Sequence, residues 1–258
     1  MNFSIITATL NSGATIAACL DSVREQGMEV EHIVIDGAST DSTLEVIRSV
    51  AGDHVSLVSE PDRGIYDGMN KGLVQATGEI VGILNSDDVY SYGSVLKDVA
   101  AVFKDPKVDC CYGDLVYVEP DDLQNIRRYW KSGPFNPSRF YRGWMPPHPT
   151  FFVRRACYDD LGHFDLALGS AADYELMLRF LLRHRLNVRY IPKILVRMRT
   201  RGVSNASLEN RLLANRHDRQ AWRENGLKPN PLTLYLKPIR KIGQYVMRPR
   251  EPLAAISD

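Results

Sequence analysis

Four segments of this chain carry side chains that could do chemistry: Thr9-Leu10-Asn11, Asp36-Gly37, Glu60-Pro61-Asp62-Arg63 and Asn85-Ser86-Asp87-Asp88. One such group would mean little, because Asp and Asn are common turn formers and helix caps; Asp41, for example, reads as a cap. Four groups at comparable positions describe a polar ligand pocket. Carboxylates gathered there repel one another and call for a cation, and an oxygen donor set favours Mg2+ or Mn2+. Such an ion usually bridges protein carboxylates to a substrate diphosphate. The chain has no G-x-x-x-x-G-K-[ST] loop, no G-x-G-x-x-G after its first strand and no G-x-S-x-G elbow. That counts against a P-loop enzyme, a dinucleotide-dependent dehydrogenase and a hydrolase of the elbow type.

The elements before each segment bring the four together. Phe3–Thr9 is a β-rich run, and Ala14–Gln26 has helical spacing (Ile16, Leu20, Val23) with Gly27 as its stop. Then follow a strand at 32–35, a helix at 43–50, a strand at 55–58, a helix at 64–76, a strand at 80–84 and a helix at 93–103. Strands alternating with helices of this length predict an α/β fold with a mostly parallel central sheet covered on both faces. Ligands of such sheets bind beyond the carboxyl ends of the strands, where all four segments fall. After residue 110 the rhythm breaks. Residues 110–114 read as a strand, and 119–149, rich in Pro, Arg and aromatics, as a long functional loop. A helix is expected at 171–184, two strands at 188–191 and 194–198, and a last helix at 208–225, followed by a Pro-rich basic tail.

The 258 residues are 44% apolar and 24% charged, as in an ordinary soluble domain. No apolar run reaches the roughly 20 residues that cross a bilayer, and Met1-Asn2-Phe3-Ser4 runs straight into a strand, so a cytoplasmic protein is expected. Four cysteines without a C-x-x-C pair read as buried reduced thiols. The net charge of +1 hides an asymmetry: residues 1–180 balance at −11 and residues 181–258 at +12. A basic tail on an acidic body suits an anionic partner, or the two halves neutralise each other.

At three places the residues match a known family: Ile5-Ile6-Thr7-Ala8-Thr9-Leu10-Asn11, Asp36-Gly37-Ala38-Ser39-Thr40-Asp41-Ser42-Thr43, and the stretch SEPDRGIYDGMNKGLVQATGEIVGILNSDD from Ser59 to Asp88. Over about residues 1–200 the chain resembles the family 2 inverting glycosyltransferases, whose fold is called GT-A, and it looks like members that build bacterial surface polysaccharides, including colanic-acid-type enzymes. The resemblance implies that Asp36 bonds the nucleotide base with Thr7 and Thr9 lining its pocket, and that Asn11, Asp62 and Arg63 lie on the donor side. It makes Asn85–Asp88 the metal motif, with Asp87 the ligand for Mg2+ or Mn2+ and Asp88 in support. Asn85 stands where many members have Asp, and there it would bond a ribose or sugar hydroxyl. Asp173, in Ala172-Asp173-Tyr174-Glu175-Leu176, matches the family's general base, and Glu175 would lie on the acceptor side.

Arg199 and Arg201, in a short Arg-Gly-Ser loop after a strand, suit phosphate contact. His148 and Trp144 fall on the acceptor side. The expected organisation is a catalytic domain over 1–205, with a nucleotide-binding half (1–110) and an acceptor half (111–205), and a helix and basic amphipathic tail over 206–258. The implied reaction is metal-dependent hexosyl or hexosaminyl transfer from a UDP- or GDP-linked sugar to a glycan or polyprenyl-linked acceptor. Leu232–Arg248 alternates apolar and basic residues. It would suit contact with the inner face of the cell membrane, or it packs on the body, with Pro238 interrupting any long helix. No nucleic-acid partner is expected. The rival readings are a nucleotidyltransferase of similar fold and a non-catalytic nucleotide-sugar-binding scaffold.

Overall fold

The first strand, β1 (Phe3–Thr9), is buried along its whole length, as a strand covered on both faces must be. The computed structural model to which it belongs describes residues 1–52, 54–200, 208–247, 249 and 253. After β1 come α1 (Ile16–Arg24), β2 (Val30–Asp36), α2 (Thr43–Val50), β3 (Val55–Ser59), α3 (Ile65–Gln75), β4 (Ile80–Ile83), β5 (Asp88–Tyr90) and α4 (Val95–Phe103). The second half holds β6 (Cys110–Glu119), β7 (Asp122–Trp130), β8 (Phe152–Arg154), α5 (Arg155–Leu161), α6 (Ala172–Leu178), β9 (Val188–Arg199), α7 (Leu208–Glu224) and α8 (Thr233–Val246). One nine-stranded sheet runs in the order β3-β2-β1-β4-β8-β6-β9-β5, with β7 beside β6. β1 pairs in parallel with β2 and β4, and β2 with β3. The second half adds antiparallel partners, β8 on β4 and β7 on β6, around the parallel pair β6–β9. The architecture is the expected α/β sheet with helices on both faces.

Apolar alternation divides the core. Phe3, Ile5, Val34 and Ile80 face α1 and α4, while Ile6, Ala8, Ile33 and Val81 face α3 and the second half. Two glycines bring α3 onto β1. A Cβ on Gly72 would stand 2.4 Å from Ile6 Cγ2, and one on Gly68 3.0 Å from the Ala8 Cβ. The i, i+4 spacing of these glycines puts them on one helix face, so D-G-M-N-K-G is the signature of a helix pressed against a strand. The helix starts at Gly64, whose φ of 113° belongs to the region that favours glycine.

Four expectations need correction. Residues 122–130 are not loop: they form β7, an antiparallel partner of β6, with Leu123, Ile126 and Tyr129 packed against Val116 and Val118. The two strands predicted at 188–198 are one, β9, which carries Pro192 through irregular register against β6. The helix predicted at 171–184 is α-helical only to Leu178 and then widens to a π turn, Arg179–Arg183. Pro238 does not interrupt α8, which runs through it. The tail lies on the body: Thr233 Oγ1 donates to the Tyr141 carbonyl at 2.7 Å, Lys237 pairs with Asp218 at 2.8 Å, and the Lys237 backbone lies against Gly143. Among the described residues no helix is long and apolar enough to cross a membrane.

Gly72→Ala should destabilise the fold by about 1–3 kcal/mol, since β1 is too tightly packed to yield. Thermal unfolding should show a fall of a few degrees, and an unchanged midpoint would refute the close-packing argument.

Candidate active site

The carboxyl ends of β1 and β4, the first turn of α3, the β6–β7 hairpin and the start of α6 enclose a cleft of about 1760 Å³. The turn from β4 to β5 sets its floor. Asp88 enters β5 opposite Met198 of β9 and is fully buried. Its backbone N–H donates to the Asn85 carbonyl at 3.0 Å, and its Oδ2 accepts from the Asn85 amide at 2.8 Å. Its Oδ1 is buried with no partner among the described residues. Burial, reinforced by the neighbouring Asp87 charge, holds the Asp88 carboxyl well above the usual range. The turn thus separates the expected pair: Asp87 lines the cleft, and Asp88 lies beneath it. Asn85 is the amide donor that makes this burial tolerable, a part Asp could not play when ionised. Arg199, from the end of β9, braces the turn by donating to the Asp87 carbonyl at 2.6 Å and to the Pro120 carbonyl at 3.0 Å. Its charge opposes the rise that burial imposes on Asp87. Arg201 lies outside the described residues.

On the β1–β2 side the expected residues divide. Thr9 lines the cleft with a buried Oγ1 that has no partner among the described residues. Thr7, on the same face but one period of the pleat further from the strand end, does not reach it: its Oγ1 is buried 3.0 Å from His32 Nε2. Asp36 is sealed beneath the following loop, accepting from Ser39 N at 3.0 Å, Ser39 Oγ at 2.5 Å and Ser59 Oγ at 2.7 Å. It shapes the pocket by holding the Gly37–Thr40 turn. Asn11, at φ 51°, takes the other side of that turn by accepting from Thr40 N at 2.9 Å, and it lines the cleft. Asp62 caps Gly64 N at 2.8 Å and packs on Gly37, where a Cβ would come within 2.6 Å of its Oδ2. Arg63 is exposed and paired with Asp67 at 3.0 Å. Both line the cleft.

Asp173 stands at the first turn of α6 and opens on the same cleft, its Oδ1 accepting from Tyr174 N at 2.7 Å. Two neighbours feel its charge. The Tyr66 hydroxyl is pushed well above its ordinary pKa by burial and by the Asp173 charge, and His148 is lowered by burial against the pull of the same carboxylate. Phe164 packs against both rings, at 5.3 Å from Tyr66 and 5.4 Å from His148. Trp144 reaches the cleft from an aromatic cluster, with its indole N–H donating to Ser132 O at 3.1 Å. Glu175 is not brought into the cleft: it faces inward, held by Arg179 at 2.9 Å and Asn225 at 3.0 Å. Sequence reasoning assigned no part to Tyr66 or Tyr117. Tyr66 follows Gly64-Ile65 in the helix-start motif, and that position was the available signal.

No three His, Cys, Asp or Glu side chains converge as a metal-binding group among the described residues. The donors nevertheless fit a divalent cation of the Mg2+ type. Such an ion asks for one or two carboxylates and takes its remaining oxygens from water and phosphate, and Asp87 offers one carboxylate at the floor of an open cleft.

Solved structures share this architecture. S. aureus TarS (residues 1–349, in complex with UDP-GlcNAc) superposes with a TM-score of 0.65 at 23% identity, covering 84% of this chain and 66% of that one. The mannosyltransferase PcManGT from Pyrobaculum calidifontis, in complex with GDP-Man and Mn2+, gives 0.63 at 21%, covering 91% and 68%. The fold is therefore that of the GT-A transferases. The family model "Glycosyl transferase family 2" matches residues 4–163, and the chain belongs to that family. A "PGL/p-HBAD biosynthesis glycosyltransferase" of Mycobacterium bovis (strain BCG / Pasteur 1173P2) is 29% identical over 217 residues, 82% of each chain. The protein is a glycosyltransferase.

Asn85→Ala would strip Asp88 of its side-chain amide donor, a cost of about 1–3 kcal/mol. A urea midpoint lowered to match is expected, and an unchanged midpoint would show that the turn does not depend on this bond.

Proposed function

We propose that the enzyme moves one hexosyl or hexosaminyl group from a nucleoside diphosphate to a hydroxyl of a glycan or lipid-linked glycan, with inversion at the anomeric carbon, in bacterial surface polysaccharide synthesis. The observation that carries the reading is that Asp87 and Asp173, from different elements, open on one cleft. In a single displacement the acceptor oxygen attacks the anomeric carbon from the face opposite the leaving diphosphate. Its proton passes to the Asp173 carboxylate, the bond from the anomeric carbon to the diphosphate oxygen breaks, and the nucleoside diphosphate departs with the electron pair. One base is enough for this, which agrees with Ala172 and the inward-facing Glu175. Tyr66 and His148 orient the base, and a His148 held neutral by its burial leaves Asp173 the proton acceptor.

A Mg2+ or Mn2+ ion held by Asp87, with Asp88 beneath it, would supply charge neutralisation for the diphosphate. Arg199 adds a fixed positive charge close by. Thr9, Asn11 and Asp62 form the nucleoside side, and the neighbours crystallised with UDP-GlcNAc and GDP-Man favour a UDP- or GDP-linked donor. Residues 1–110 then serve the nucleotide, 111–205 the acceptor, and 206–258 close the acceptor side through α8. The exposed Tyr235, Tyr245 and Val246 on α8 suit an acceptor held at a membrane face. A scaffold that only bound nucleotide sugars would need no carboxylate at 173.

Asp173→Asn should lower transfer by roughly 10²–10⁴-fold while donor affinity stays within about twofold; full activity in the variant would refute the base assignment. A panel of UDP- and GDP-sugars, with and without Mn2+, should raise the unfolding temperature for one nucleotide class, by up to about 2.7 kcal/mol of stabilisation at a hundredfold excess over Kd. Asp87→Ala should abolish the Mn2+-dependent part of that shift. If no donor stabilises the protein in either condition, the donor site is misassigned.

A further inference from the structure

Arg128 is a buried cation in the cleft that the reaction just described does not use. It is 8% exposed, it lines the cleft, and among the described residues it forms no ion pair. Its Nε is buried with no hydrogen-bond partner among the described residues. Arg127, next to it on β7, shows the ordinary arrangement instead: it pairs with Glu119 and is 59% exposed. Arg128 points the other way because β-strand side chains alternate.

A guanidinium stays protonated in proteins. Burying it without an anion is costly unless a ligand supplies one. Aromatic faces recover part of that cost: Arg128 stacks on Tyr117 at 3.8 Å and lies 5.7 Å from the rings of Trp130 and Tyr245. Stacking engages the faces of the guanidinium, whereas its N–H donors lie in the plane and remain available for an oxyanion.

Register places this group. Asp88 on β5 is opposite Met198 on β9, Met198 is opposite Tyr117 on β6, and Tyr117 is opposite Arg128 on β7. Partners in register share a face, and three strand spacings of about 4.8 Å put the Arg128 backbone roughly 14 Å from that of Asp88. The β6–β7 hairpin joins the second half of the sheet, not β1 or β2, whose loops form the nucleoside side. An anion bound at Arg128 therefore lies away from the nucleoside side of the cleft.

The geometry points to an acceptor that carries an oxyanion, a phosphate ester or a sugar carboxylate, seated on Arg128 with an adjoining ring stacked among Tyr117, Trp130 and Tyr245. This assignment rests on the transferase reading and names its acceptor class.

Calorimetry on the full chain tests it, with UDP or GDP and Mn2+ present to fill the donor site. The probes are a glucuronate-terminated oligosaccharide, a glycosyl phosphate diester and the carboxyl-reduced neutral oligosaccharide. At least one anionic probe should bind more tightly than the neutral one, and which one does so distinguishes carboxylate from phosphate. Arg128→Gln should weaken that probe by about tenfold or more, Arg128→Lys by less, and neither should alter nucleotide affinity or binding of the neutral probe. The assignment is overturned if no anionic probe outbinds the neutral one in the wild type, or if Arg128→Gln binds it within twofold of wild type. Failure of the wild type to bind either nucleotide would instead count against the transferase reading itself.

Discussion

The buried carboxylate of Asp88 is the constraint on which the cleft depends. Chain direction reverses between β4 and β5 within four residues, and the reversal holds because one residue, Asn85, closes the turn with its backbone carbonyl and serves the carboxylate beneath it with its side-chain amide. β5 can then pair with β9, and β9 delivers Arg199 to the carbonyl of Asp87. Asp87 is thereby fixed from two strands while its carboxylate remains open to the cleft. A group that must meet a diphosphate gains from such fixing, because the cost of ordering it falls on folding and not on catalysis.

The same economy governs charge. The first 180 residues carry the acidic excess and the last 78 the basic one, and the fold brings the two into contact. Lys193 of β9 pairs with Asp98 of α4, and Arg199 braces the acidic turn. Neutralisation between halves accounts for these two cations without any membrane or nucleic acid. Arg128 differs, since its environment is aromatic.

The first half of the fold was legible in the sequence because each signal there is local. β1 and α2 have the bounds that alternation and helical spacing give, and Gly64, Gly68 and Gly72 mark a helix start and a close approach. The second half was legible only in part, in β6, the start of α6, β9 and α7, because its other pairings are between distant segments. β8 is three residues long and is held by β4 and β6, and β7 carries polar residues on its outer face that read as loop. In the site, residue type located the strand ends correctly but could not say which way each side chain turns. Thr7 and Thr9 differ by one period of the pleat, yet Thr7 bonds His32 in the core and Thr9 meets the cleft. Asp36 is a stronger case: three donors surround it, and this was not visible without the Ser39 and Ser59 positions.

That internal satisfaction bears on how the motif should be read. In D-G-x-S-x-D-x-T the first Asp bonds the Ser three residues on, and the second, Asp41, accepts from the N–H and hydroxyl of Thr43 and from Gly13 N. The block is thus a self-contained turn latched to the end of β1 by Asn11 and Gly13. Its specificity as a sequence signature comes from building a rigid rim, since replacing any one donor would leave a carboxylate short of a partner. A rigid rim on the nucleoside side and a braced turn at the floor leave the β6–β7 hairpin and α8 as the walls whose residues are free to differ with the acceptor. The unmatched charge of Arg128 lies in that wall.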